Sequence, residues 1–275
     1  MGGIEFLKGH GTQNDFVLLP DPEGRLELTP ARVAALCDRQ RGLGADGVLR
    51  VVRSSALGET SGGEWFMDYR NADGSIAEMC GNGVRVFVRY LVDAGLVDSG
   101  RFVIGTRAGD RPVELHPDGD VTVHMGLATI TGTSVTVVAG QPFSGVSVDV
   151  GNPHLVSVVD FDVAELELRD QPDFDHDVFP SGVNLEFINI LADDALKMRV
   201  HERGVGETRA CGTGTVAAVA AALHFAGTDT GFSTVDVPGG QVRVTIDRGA
   251  ATLTGPAEIV ARGELDERWW AAAGA

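Results

Sequence analysis

Cysteine is scarce in this chain of 275 residues. Cys37, Cys80 and Cys211 are too few and too widely spaced for a disulfide framework or a cysteine-rich zinc site. No C-x-x-C pair occurs, which removes the usual dithiol redox motif. Basic charge is also short: 22 Lys and Arg stand against 39 Asp and Glu, for a formal net charge of -17. The electrostatic footprint for DNA, RNA or an anionic membrane is therefore missing. The acidic residues form no long block and read as solvated surface. No stretch approaches the ~20 apolar residues needed to span a bilayer, and Met1-Gly2-Gly3-Ile4-Glu5-Phe6 carries neither a basic n-region nor an apolar h-region. These absences predict a cytoplasmic setting, with no nucleic-acid and no membrane partner.

What is abundant is glycine. With 37 Gly, 11 Pro and a hydrophobic fraction of 43%, many short apolar runs separated by tight turns point to a strand-rich globular protein, long enough for two domains. Short strands are expected at Ile4–Lys8 and Phe16–Pro20, flanking the polar loop His10 to Asp15. Thr29-Pro30 is an N-cap and first-turn proline that open a helix through Cys37, which reads as a core residue. Gly42-Leu43-Gly44-Ala45-Asp46-Gly47 has the spacing of a dinucleotide fingerprint. It follows a helix and opens the β-branched run at Val48, the reverse of what that fingerprint requires, so a nicotinamide or flavin site is rejected.

Two segments share one layout. Asn71 leads to Cys80-Gly81-Asn82-Gly83 and then into an apolar helix ending near Gly95. Glu202 leads to Cys211-Gly212-Thr213-Gly214 and into another, ending at Gly227. Helices apolar on most sides must be buried in protein. Strands at Arg101–Thr106, Arg111–Leu115, Val121–Met125, Val135–Val138, Val146–Val150, Asn184–Leu191, Lys197–Glu202, Thr234–Val237, Val242–Ile246 and Ala251–Leu253 surround them, with a short helix over Asp160–Arg169. The expected fold is α+β: two pseudo-symmetric domains, each a mixed or antiparallel, barrel-like sheet around a central helix. The boundary is placed in Gly126–Thr133, giving residues 1–127 and 128–262, with a tail at 263–275 packing back on the body.

A buried helix must still find partners for its first backbone N–H groups, and here these open onto the cysteine loop. The helix N-terminus favours anions and is expected to lower the thiol pKa, from about 8.5 into the range of roughly 3.5 to 7.5. Glycines let a carboxylate approach the backbone. Two such thiols suit stereochemical inversion: one removes an α-proton from one face of an amino acid, the other supplies a proton to the opposite face, and no cofactor and no metal is needed. The alternative is that both cysteines are small apolar fillers at crowded turns.

Together these residues resemble the diaminopimelate epimerase family, within the wider group of cofactor-independent two-cysteine racemases. The resemblance is carried by Asn14-Asp15-Phe16, Arg41 through Gly47, Asn71 through Ser75, Cys80 through Gly83, Gly151-Asn152-Pro153-His154, Asn184 and Glu202 through Gly214. It implies interconversion of LL- and meso-diaminopimelate, on the route to lysine and peptidoglycan precursors. It further implies that Cys80 and Cys211 are the acid and base, that His154 and Glu202 adjust them, and that Asn14, Asn71, Asn152, Asn184, Glu202 and Arg203 contact the substrate. Gly81, Asn82, Gly212 and Thr213 would bind the reacting carboxylate. The partner is then a small molecule, with room left for a homodimer. Two departures from the family pattern stand out: Gln13 in the first loop, and Gly47 where some members carry a substrate-binding glutamine. A proline-type racemase or other isomerase of the same fold, and a non-catalytic amino-acid-binding protein, are the competing readings.

Overall fold

The computed structural model describes residues 3–59, 61–192 and 194–274. His124–Gly255 forms one compact unit, and the chain on either side of it, through Val123 and from Pro256, forms the other.

The first unit begins with a hairpin of β1 (Ile4–Gly11) and β2 (Asn14–Pro20), followed by α1 (Pro30–Cys37), β3 (Gly47–Arg53), α2 (Ser54–Leu57) and β4 (Trp65–Asn71). Helix α3 (Gly81–Asp93) precedes the antiparallel β5 (Arg101–Ile104), β6 (Arg111–Leu115) and β7 (Val121–Leu127), whose residues from His124 on are counted with the second unit. The chain returns to this unit with β18 (Glu258–Leu265) and α5 (Glu267–Ala273). One sheet has the order β18-β1-β2-β3-β4, antiparallel except between β2 and β3. Strand β18 is absent from the sequence expectation, which also counted its first residues with the C-terminal half. Its pairing with β1, from Ile4 on Leu265 to His10 on Glu258, ties it to the first unit.

The β1–β2 turn is two residues long, and both Thr12 (φ 50°) and Gln13 (φ 61°) are left-handed, as a type I′ turn requires. Asn or Gly would be the easy choices there; a β-branched Thr is held in this region only by surrounding structure. On one face of the sheet lies α3. A Cβ on Gly9 would meet the Glu258 carbonyl oxygen at 2.7 Å and Val86 at 2.9 Å, so glycine sets this approach. The other face carries α1, capped by the Thr29 hydroxyl accepting from the Arg32 N–H, a bond worth ~1 kcal/mol. Val33, Leu36 and Cys37 pack there with Val17, Leu19, Val48, Leu265 and Trp270.

The second unit comprises β8 (Thr129–Val138), β9 (Gln141–Asp149), β10 (Pro153–Val158), β11 (Asp173–Phe174), β12 (Asn184–Ala192), β13 (Ala195–Glu202) and β14 (Gly206–Thr208). Helix α4 (Gly212–Phe225), β15 (Thr230–Val237), β16 (Gly240–Asp247) and β17 (Ala250–Gly255) complete it. Within this unit these strands run in the order β11-β8-β9-β10-β12-β13-β15-β16-β17, with β14 on β13. Parallel pairs occur at β10/β12 and β13/β15. Helix α4 packs against β8, β9, β10, β12, β13, β15, β16 and β17. An element touched by that many strands must be apolar all round, and Val216 to Ala221 are buried.

The helix expected over Asp160–Arg169 is a single 3-10 turn, Val163–Glu165. Asp162 caps it by accepting from the Ala164 N–H. Arg199 of β13 then donates to the carbonyls of Val163, Ala164 and Leu166, at 2.8, 3.2 and 2.7 Å. Carbonyls that a longer helix would have satisfied internally are met by one guanidinium, so the helix stops.

Candidate functional site

Each unit presents its cysteine as the residue that caps its central helix, Cys80 for α3 and Cys211 for α4, both with extended backbone. The N–H groups of the first helical turn have no carbonyl partner within the helix, and in these turns they belong to Gly81 and Asn82, and to Gly212 and Thr213. Beyond that shared frame the surroundings of the two cysteines differ.

In the first unit Cys80 is half-buried and its thiol donates to Asn14 Oδ1 at 3.5 Å. The same oxygen accepts from Asn82 Nδ2 at 3.2 Å, while Asn14 Nδ2 donates to Asp46 Oδ2 at 2.7 Å. Asp46 also receives the Asp15 N–H and Arg39. Asn14 begins β2, Gly47 begins β3 and Asn71 ends β4, so β2–β3 and β3–β4 pairing brings them to one edge of the sheet. The Asn71 amide donates to Ser75 Oγ at 3.0 Å, closing its own turn and not bonding to the set around Cys80. A Cβ at Gly47 would sit 2.6 Å from the Arg70 carbonyl oxygen and 2.7 Å from the Tyr69 ring. The local packing thus has no space for a glutamine at that position. Gln13 occupies the exposed second corner of the hairpin turn.

In the second unit Cys211 is buried. Its sulfur accepts from the Gly214 N–H at 3.4 Å and lies 3.6 Å from Thr213 Oγ1. Its thiol is within hydrogen-bond reach of Glu202, which also accepts from Thr208 Oγ1. His154 is fully buried between Glu186 Oε1, 2.7 Å from Nδ1, and Asn152 Oδ1, 3.0 Å from Nε2. The β10/β12 register sets His154 beside Asn184. Asn184 bridges two loops, donating to the Pro153 carbonyl and accepting the Arg203 N–H. Arg203 reaches the Ser181 carbonyl with its guanidinium and makes no ion pair with Glu202 among the described residues.

The expectation of a lowered thiol pKa fails at Cys211. Burial pushes this thiol well above its ordinary value, and the carboxylates of Glu202 and Glu186 push it further. Thr213 and the helix N–H of Gly214 pull the other way without prevailing. Burial likewise raises Glu202, against the hydrogen bonds from Thr208 and Cys211. A proton is therefore held firmly where Cys211 and Glu202 meet. At Cys37, burial raises the thiol to about 12, as befits a core residue.

Glu186 and Arg85 escaped the sequence reading. Both carry a usable signal: a charged residue inside an apolar run, Leu185-Glu186-Phe187-Ile188 and Val84-Arg85-Val86, is rarely buried unless it meets a partner. Both are fully buried. Arg85 also corrects the picture of α3 as apolar on nearly every side. Among the described residues no group of three or more His, Cys, Asp or Glu could hold a metal ion, and no helix is long and apolar enough to cross a membrane.

This architecture is shared with solved racemases and related proteins. A probable proline racemase from Agrobacterium radiobacter superposes with a TM-score of 0.68 at 14% identity, over 96% of this chain and 93% of that one. A PhzF-family phenazine biosynthesis protein from Bacillus anthracis gives 0.67 at 17% identity, over 97% and 100%. By fold, then, the protein belongs with these solved structures. Sequence narrows this further: the family model described as diaminopimelate epimerase matches residues 6–131 and 146–260. Diaminopimelate epimerases of Rhodococcus jostii and Mycolicibacterium smegmatis are each 54% identical, covering 97% and 96% of this chain and 99% and 98% of theirs. The chain belongs to the diaminopimelate epimerase family.

Proposed function

We propose that the protein is an isomerase that interconverts LL- and meso-diaminopimelate in the cytoplasm, supplying lysine and peptidoglycan precursors, with Cys80 and Cys211 as its acid and base. The observation that carries this reading is the cysteine at the N-terminus of the buried central helix of each unit. One thiolate takes the α-proton from one face of the substrate carbon, the other thiol returns a proton to the opposite face, and the roles exchange in reverse. The firmly protonated Cys211 suits the acid role in one direction. Once it has given up its proton, the factors that raised its pKa make its thiolate a strong base for the return.

The α-proton is a very weak acid, so charge delocalised onto the α-carboxylate must be stabilised by preorganised donors, each worth about 2.7 to 4 kcal/mol. Backbone N–H groups of Gly81, Asn82, Gly212 and Thr213 are assigned that task. Asn14, Asn71, Asn152, Asn184, Glu202 and Arg203 are assigned to the substrate's remaining polar groups. His154, held by Glu186 and Asn152, and Glu202 adjust Cys211. No cofactor enters the scheme.

The test is incubation with LL-diaminopimelate in D₂O without added cofactor, followed by chiral separation and mass analysis. Deuterium at the α-carbon of the epimerised product is expected, with loss of epimerisation in Cys80→Ala and in Cys211→Ala. Epimerisation that survives both single substitutions refutes the assignment. Tight binding of the substrate without α-exchange would make the protein a binder, and inversion of proline or hydroxyproline instead would make it a racemase of the neighbouring kind.

A further inference from the structure

Arg85 stands one turn into α3 and has no exposure to solvent. Its guanidinium meets neutral acceptors: the Pro256 carbonyl, Thr12 Oγ1 at 3.0 Å and Asn82 Oδ1 at 2.6 Å, while its Nε has no partner. Among the described residues no carboxylate pairs with it. A buried cation facing only neutral oxygens is costly. Burial lowers the guanidinium to about 10, and the groups whose anionic forms act against this are Cys80 and then Asp120. The group is thus cationic at neutral pH.

The hydrogen bonds between Arg85 and Cys80 have one polarity. A guanidinium can only donate, so Asn82 must turn its oxygen to Arg85 and its NH₂ to Asn14. Asn14 must then present its oxygen to Asn82 and to the Cys80 thiol, and its NH₂ to the acceptor Asp46. The chain runs from a fixed donor to a fixed acceptor with neither amide free to flip. Thr12, in its left-handed turn, is held to the same guanidinium. A Cβ on Gly11 would approach within 2.9 Å of the Asn82 carbonyl and 3.2 Å of Arg85 Nη2. The charged groups facing this arrangement are Asp120, in the turn before β7, and Asp46, which Arg39 holds in place.

We propose that Arg85 is a positioning residue for Cys80: a buried counter-charge, held near the thiol through Asn82 and Asn14, whose positive field offsets the Asn14 oxygen that faces the sulfur and stabilises the anion formed when this thiol gives up its proton. The inference rests on the reading of Cys80 as an acid/base thiol.

Alkylation by iodoacetamide at neutral pH, quantified separately at Cys80 and Cys211 by peptide mass spectrometry, tests this without any turnover. Arg85→Gln keeps an amide that can donate to Asn82 but removes the charge; Arg85→Lys keeps the charge. An opposite charge acting through intervening amides belongs at the low end of its usual range, about tenfold in thiolate population. Arg85→Gln is therefore expected to slow alkylation of Cys80 about tenfold, Arg85→Lys to stay within roughly threefold of the parent, and Cys211 to be unchanged in both. Equal Cys80 rates in the parent and Arg85→Gln overturn the proposal. So does equal slowing in both variants, which marks a clamp and not a charge, or a parallel change at Cys211, which marks a general loosening. Failure of the epimerase reading would appear in the D₂O assay and would leave these rates as they are.

Discussion

Gly83 and Gly214 occupy the same place in Cys-Gly-x-Gly, yet an added methyl group is expected to have opposite consequences at the two. Replacing glycine by alanine inside a helix ordinarily stabilises it by about 1 kcal/mol. At Gly83 the new Cβ would meet Leu49 Cδ2 at 3.3 Å and Phe16 Cζ at 3.5 Å, side-chain ends that can yield a few tenths of an ångström. At Gly214 it would meet Glu186 Oε1 at 2.6 Å and Cys211 Sγ at 3.3 Å. That carboxylate is fully buried and bonded to His154 at 2.7 Å, so it cannot withdraw without leaving the imidazole. Overpacking costs about 1–3 kcal/mol and a lost buried hydrogen bond about 1–3 kcal/mol. Set against the helical gain, Gly214→Ala should destabilise by about 2 kcal/mol or more, and Gly83→Ala should be near neutral. At roughly 3 °C per kcal/mol, thermal unfolding of Gly214→Ala is expected about 6 °C below that of the parent. Epimerase activity should fall with it, because the Gly214 N–H and Glu186 both border Cys211. If Gly214→Ala unfolds at the same temperature as Gly83→Ala, the close approach of Glu186 to α4 is wrong.

Two further outcomes follow from the thiols. Cys37 has its pKa raised by burial to about 12 from 9.0, so the folded state holds this proton longer than the unfolded state does; stability is complete below about pH 9 and declines as pH rises toward 12. At pH 10 this amounts to about 1.4 kcal/mol, and the fall in urea midpoint between pH 8 and pH 10 should be smaller in Cys37→Ala than in the parent, an equal fall removing Cys37 as the cause. Glu202→Gln takes away the carboxylate that, after burial, does most to raise Cys211; alkylation of Cys211 at pH 8 should accelerate by about tenfold while Cys80 keeps its rate, and an unaltered Cys211 rate would separate the two groups.

Much of the site could be read from the chain because its signals are local. A cysteine followed by small residues and an apolar run marks a helix start, Thr29-Pro30 marks another, and both lie where expected. The α+β organisation around two buried helices follows from the same runs. What escaped depends on partners distant in sequence. Glu186 is intelligible only once His154 is beside it, and Arg85 only once Thr12 and the Pro256 carbonyl are. Strand β18 has a mostly exposed, weakly apolar pattern, since it is an edge strand whose stability comes from pairing with β1. The sign of the Cys211 shift also turned on tertiary structure: the helix N-terminus visible in the sequence does lower it, but the burial and two carboxylates supplied by β12 and β13 outweigh that effect.

The pairing of β1 with β18 reaches beyond the finished fold to the order in which it can be made. The second unit is one continuous stretch, complete once Gly255 is synthesised, whereas the first must wait for a strand and for the Pro256 carbonyl that receives Arg85. At translation speeds of about 5–20 residues per second, the early strands remain without their edge partner for about ten seconds or longer. The usual sequence of N-terminal domain first is thereby reversed: the surroundings of Cys211 can mature on the ribosome, and those of Cys80 close last. A ribosome-bound chain arrested just after Gly255 has cleared the exit tunnel is expected to resist protease in His124–Gly255 while its first strands are still cut.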